Sequence, residues 1–122
     1  MPYSLGIKLN NVRISNNLAK IISLSMVGLS YEEISLVTTI KESVIRNEVS
    51  LAYGLFDTQR CINALVYLAY VNGFTHNLQA NGVVVLNDYE MYRLKKHMPR
   101  LLPFLPLAQH HHYDLANASS KL

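Results

Sequence analysis

A single cysteine, Cys61, is all that this chain of 122 residues carries. An internal disulfide is therefore impossible, as is a zinc site built on paired cysteines. A reducing, cytoplasmic setting fits. Charge is sparse too: 16% of residues are charged while 50% are hydrophobic, the opposite of a disordered composition. No apolar run is long enough for a bilayer. The longest near the start, residues 18–29, is interrupted by Lys20, Ser23 and Ser25, and no small-residue cleavage pattern follows it, so neither a membrane span nor a signal peptide is expected. Also missing are a glycine-rich phosphate loop, a nucleophile elbow and a plausible carboxylate pair. Cys61 has no histidine at a catalytic spacing and reads as a buried structural thiol. The adjacent His110, His111 and His112 lack the companions that close a metal site. No enzyme activity, cofactor or metal is expected.

What is present is enough apolar chain for one domain with a real core. The formal charge of +3 permits nucleic acid without demanding it. Its distribution is uneven. Between residues 14 and 75, Lys20, Lys41, Arg46 and Arg60 face Glu32, Glu33, Glu42, Glu48 and Asp57. Between 88 and 100, Arg93, Lys95, Lys96 and Arg100 outnumber Asp88 and Glu90. Phosphate contacts supply much of DNA affinity, so the later basic residues become candidates to supplement the earlier segment.

Local chemistry divides the chain. Residues 1–13 show no clear period and read as an extended arm. Ser15 can cap a first helix with Leu18, Ile21, Ile22 and Met26 inward, and Gly28 suits its left-handed C-terminal end. Ser30 and Glu33 form a capping box, and Leu29 and Ile34 a hydrophobic staple, at the start of a helix over about 31–37. Thr38 and Thr39 break it. Thr39 and Glu42 read as a second capping box, opening a third helix over 41–55. Ile45, Val49, Ala52 and Phe56 make its core stripe. Val44, Leu51 and Leu55 make an adjacent stripe, also expected to be buried. The remaining arc, Ser43, Arg46, Asn47, Ser50 and Gly54, is polar. Asp57 or Thr58 is expected to cap a fourth helix that buries Ile62, Leu65, Val66, Ala69 and Tyr70 and ends at Asn72-Gly73. One strand is expected in 82–86. Asn87 and Glu90 can cap a last, basic helix over about 88–98, with Met91, Leu94 and Met98 inward. Pro99, Pro103 and Pro106 exclude regular helix beyond it.

The stretch "GLSYEEIS" resembles the Gly-Leu-Ser-x-x-Glu-Ile-Ala of the LuxR-type (GerE-like) helix-turn-helix DNA-binding family. "VIRNEV" is similar to that family's Thr-Val-Lys-Asn-His-Leu, and Arg60 falls near its arginine at the start of the last helix. The resemblance covers about half the chain. Thr38-Thr39 stands where the family commonly has Leu-Gly, Val44 at its usual Thr and Glu48 at its usual His. The resemblance implies a recognition helix at 41–55 lying in the major groove. Arg46 takes the place of the family's Lys and Asn47 that of its Asn; Lys41 falls near its Ser. It also implies a dimer, often paired through the fourth helix.

The fold class expected is mainly α: a four-helix helix-turn-helix core with a C-terminal extension of one short strand, one basic helix and a Pro-rich segment. The divisions are an arm (1–13), the helix-turn-helix domain (14–75), an extension packed on the core or on a second subunit (76–109) and a flexible tail (110–122). The function expected is sequence-specific binding of double-stranded DNA by a homodimeric regulator of transcription. Lys41, Ser43, Arg46, Asn47 and Ser50 would touch bases or phosphates, and Arg93 and Lys96 would add phosphate contacts. The alternative is a protein-binding adaptor that keeps the helix-turn-helix shape without DNA; a phage packaging subunit shares the same fold signal.

Overall fold

In a computed structural model that describes residues 6–105, the chain is mainly α. Five α-helices occur among the described residues: α1 (Asn16–Met26), α2 (Tyr31–Thr38), α3 (Glu42–Phe56), α4 (Ile62–Val71) and α5 (Asp88–His97). Two small antiparallel sheets join them. β1 (Lys8–Leu9) pairs with β2 (Val12–Arg13) ahead of α1. β3 (Phe74–Thr75), β4 (Gln79–Ala80) and β5 (Val83–Val84) form a meander between α4 and α5. A 3₁₀ turn, Pro99–Phe104, follows α5; its looser hydrogen bonding tolerates Pro103, which a regular helix would not.

The starts of α1, α2 and α5 follow the side-chain chemistry. The Ser15 hydroxyl accepts from the Leu18 amide at 3.1 Å. At α2, Ser30 and Glu33 complete a reciprocal capping box, with Leu29 and Ile34 buried on either side of the cap. The Ser30 backbone amide, aided by Arg100 at 3.3 Å, holds the Glu33 carboxyl below the usual carboxylate range, against a modest opposing effect of burial. Asn87 and Glu90 form a second such box at α5.

The corner between α2 and α3 closes differently from expectation. Thr39 takes a left-handed conformation, φ 63°, and ends α2. It therefore cannot cap α3, whose N-cap is Lys41 and has no side-chain hydrogen bond. The buried Thr38 hydroxyl closes the corner instead. It donates to the Ile34 carbonyl at 2.8 Å and accepts from the Ile40 amide at 3.2 Å.

Other expectations are also corrected. Residues 8–13 form a hairpin rather than an extended arm, and Ile7 and Leu9 are core residues. Val44, Leu51 and Leu55 are exposed, since neither α2 nor α4 covers that side of α3. Asp57 ends α3 in a left-handed conformation, and the N-cap of α4 is Cys61, which is exposed rather than buried. Tyr70 lies on the outer side of α4, not in the core. The strand expected in 82–86 spans only Val83–Val84, one of three.

The core is continuous from the hairpin to the 3₁₀ turn. α1 lies at its centre, with Ala19, Ile21, Ile22 and Leu24 fully buried, and packs on α2, α3 and α4. α5 covers the outer side of α2. Residues 76–105 of the extension therefore pack on their own domain. Lys20 of α1 meets Glu90 of α5 at 2.8 Å in a nearly buried ion pair. The far end of α4 closes at Gly73, φ 101°, where a Cβ would meet the Asn81 side-chain nitrogen Nδ2 at 3.1 Å. Phe74 then turns directly inward.

Within α1, the Ser23 side chain is completely buried and its hydroxyl has no hydrogen-bond partner among the described residues. A buried hydroxyl without a partner retains its desolvation penalty. Ser23→Ala is expected to raise stability by about 1 kcal/mol, read as a higher urea midpoint at unchanged slope.

Candidate nucleic-acid interface

Helix α3 turns Ile45, Val49 and Ala52 into the core, with Phe56 half-buried. At ~100° per residue this directs residues 43, 46, 47, 50 and 54 away from the bundle. Ser43, Arg46, Asn47 and Gly54 are exposed, Ser50 is half-buried, and Lys41 stands exposed at the N-terminal end. Five of the seven sequence-predicted site residues, Lys41, Ser43, Arg46, Asn47 and Ser50, thus share one helix.

Arg46 is supported on two sides. Its guanidinium bonds Glu42 at 2.8 Å, one helical turn earlier, and stacks over the Tyr31 ring at 5.0 Å. The acid-before-base order at i, i+4 is the favourable one. The pair is solvent-exposed, with side-chain exposures of 62% and 42%, so it contributes only about 0.3–0.5 kcal/mol. A phosphate or a base edge can displace Glu42 at little cost, while Tyr31 keeps the guanidinium raised on the α3 face.

A second arginine reaches the same helix. Arg60, in the loop before α4, donates to the Ser50 hydroxyl at 2.8 Å and stacks over the Tyr53 ring at 5.4 Å. Burial first, then the neighbouring Tyr31 phenol, pushes the Tyr53 hydroxyl up to about 12. That phenol stays neutral across the physiological range. Tyr31, Tyr53, Arg46 and Arg60 therefore form an aromatic and guanidinium cluster along one edge of α3. The site assignment from sequence included neither Tyr31 nor Arg60. Their roles depend on how α2 and the α4 loop pack against α3, which no local pattern encodes.

Arg93 and Lys96 lie apart, on α5. Arg93 is half-buried; its Nε donates to the Leu36 carbonyl at 2.8 Å, satisfying one of the open carbonyls at the end of α2. Its guanidinium also stacks on Tyr89 at 5.7 Å. Lys96 is exposed over the Tyr92 ring at 5.9 Å. α5 packs on α2; Arg93 thereby reaches the end of α2, while Lys96 meets Tyr92 of its own helix, and both stand on a different helix from the polar arc of α3.

On its other edge α3 exposes Leu51, 65% accessible, and Leu55, 60%, with Val44 above them. The outer face of α4 exposes Tyr67, Tyr70 and Val71. Among the described residues no group of His, Cys, Asp or Glu could hold a metal ion, and no helix is long and apolar enough to cross a membrane. The three tail histidines and the rest of 110–122 lie outside the described residues. No protein-family model, curated protein or solved structure matches the chain.

Proposed function

We propose that this protein is a sequence-specific DNA-binding regulator of the LuxR-like helix-turn-helix type, with α3 lying in the major groove. The observation that carries this reading is the outward arc of Lys41, Ser43, Arg46, Asn47 and Ser50 on a helix that follows a corner closed by the Thr38 hydroxyl. Arginine pairs bidentately with guanine and asparagine with adenine. Arg46 and Asn47 occupy adjacent exposed positions suited to those two contacts. Arg60, held on Ser50, adds a cation beside them. In the same reading the protein acts in the cytoplasm as a homodimer, paired through the exposed Tyr67, Tyr70 and Val71 of α4.

Binding of short duplexes, measured at several salt concentrations, tests this. Arg46→Ala and Asn47→Ala are each expected to lose about 1–3 kcal/mol of discrimination at one base position. Curves identical to wild type would remove these residues from the site. Absence of binding by wild type at low salt would remove the function.

A second reading is favoured by the exposed Leu51 and Leu55. Apolar side chains this accessible on α3 suit a protein partner better than a phosphate backbone. In that case the chain is an adaptor for a transcription factor or polymerase. A folded wild type that ignores DNA at every salt concentration is the result this reading expects.

A further inference from the structure

We infer that the outer face of α5 joins two copies of this chain, the two helices lying antiparallel about a two-fold axis at Tyr92. Asp88, Tyr92 and Lys96 follow one another at four-residue intervals, so they form one line along the helix. All three are exposed, and Tyr89 stands exposed beside them. The opposite side of α5 turns Glu90, Met91 and Leu94 into the core. The helix is firmly seated, because Glu90 both completes its cap and pairs with Lys20. This face is separate from α3 and from the outer surface of α4, so the pairing does not depend on DNA binding.

The charge pattern of the line is complementary to itself. Asp88 opens the helix, Lys96 lies in its last turn, and Tyr92 is midway between them. Each charge is thus about 6 Å from Tyr92 along the axis. A second copy turned by half a revolution about Tyr92 sets its Lys96 opposite Asp88 and its Asp88 opposite Lys96. A two-fold contact repeats every pairing in this way. Within one copy neither residue forms an ion pair among the described residues. Lys96 lies over the Tyr92 ring at 5.9 Å, a contact that leaves its charge without a counter-ion.

The residues between the charges point to a protein surface. An acid in the first turn and a lysine in the last also suit the helix dipole, and by themselves they would fit a solvated face. Tyr89 and Tyr92, 58% and 50% accessible, go beyond that. Tyrosine is enriched where proteins meet, because it joins a large apolar area to a polar tip. The two-fold axis brings Tyr92 against its own counterpart, and aromatic rings gain from such offset contacts. Arg93 serves to hold Tyr89, with its Nε on the Leu36 carbonyl and its guanidinium over the ring. A wholly basic line would call for a polyanion. One acid and one base at matched distances from a tyrosine call for a second copy.

The test is analytical sedimentation of the full chain at concentrations up to about 1 mM, since a contact between single helices belongs with the weak interfaces below about 1,200 Å². Wild type is expected to self-associate. Tyr92→Ala is expected to weaken that association about tenfold. Asp88→Lys and Lys96→Glu should each do the same, because one substitution makes both cross-pairs repulsive. An equimolar mixture of Asp88→Lys and Lys96→Glu is then expected to regain association between unlike chains, each carrying the sign the other lacks. These positions are exposed, so the variants keep the wild-type circular dichroism; should Asp88→Lys disturb the start of α5, Tyr92→Ala still decides. A wild type that stays monomeric at about 1 mM overturns the inference. So does association that none of the three variants weakens, which would assign the contact to another face such as α4. A mixture no more associated than its separate components overturns it as well, since the antiparallel register would be wrong. Duplex binding by wild type and Arg46→Ala reads the function of α3 independently of all these outcomes.

Discussion

Glu90→Gln should unfold the protein at a markedly lower urea concentration, with a loss of about 3–5 kcal/mol. The expectation comes from separating two roles of one side chain. One carboxylate oxygen accepts from the Asn87 amide at 2.9 Å and completes the cap of α5. The other meets Lys20 at 2.8 Å, where both side chains are nearly buried, at 14% and 7% exposure. Glutamine can keep the cap, because a Gln at that position serves as well as Glu. It cannot neutralise Lys20, and an unpaired ammonium in a low-dielectric setting is costly. Lys20→Met/Glu90→Gln should recover most of the loss, since methionine covers the same surface without charge. If the double variant is as unstable as Glu90→Gln, the cap rather than the ion pair dominates. Equilibrium urea unfolding of wild type and the two variants decides between them.

Phe74→Ala should be about as damaging, at about 3–5 kcal/mol. Phe74 is 1% exposed and is among the largest fully buried side chains. It enters the core immediately after Gly73 and pairs across the ladder with Ala80. No larger neighbour lies directly opposite to fill the space a truncation would leave. Phe74→Leu keeps much of the volume and should lose less than half as much, because near-isosteric apolar exchanges are tolerated at about 1.5 kcal/mol or below. For a domain of this size total stability is on the order of 5–15 kcal/mol. The alanine variant is thus expected near the edge of folding at 37 °C. Thermal and urea transitions that coincide with wild type would show that Phe74 does not hold the meander to the helices.

The parts of the fold legible in the sequence were those decided within a few residues. Ser15, the Ser30–Glu33 box and the Asn87–Glu90 box specify their helix starts through bonds spanning three positions. The core stripe of α3 was legible for the same reason, since Ile45, Val49 and Ala52 recur at the helix period. The polar arc of the candidate site followed from that stripe by geometry. What was not legible depended on distant neighbours. Val44, Leu51 and Leu55 have the spacing of a buried stripe, yet nothing among the described residues covers them. Asp57 resembles a cap for the next helix but ends the previous one, because α4 starts four residues later than that cap would allow. The hairpin had a local signal in the alternation of Ile7, Lys8 and Leu9 before Asn10-Asn11, but its strands are only two residues each. Tyr31 beneath Arg46 and Arg60 on Ser50 needed the packing of α2, α3 and the α4 loop to be known.

The covering of α2 by α5 bears on modularity. A helix-turn-helix unit is often thought of as a cassette that can be cut out and fused elsewhere. Here a cut after residue 75 would strip Leu78, Val85, Leu86, Met91 and Leu94 from the common core and leave Lys20 buried without its partner. Transplanting α2 and α3 into another protein would require carrying the hairpin, the meander and α5 with them. In engineering terms α2 and α3 are not portable by themselves, and a substitution as distant as α5 can alter how firmly α3 is held.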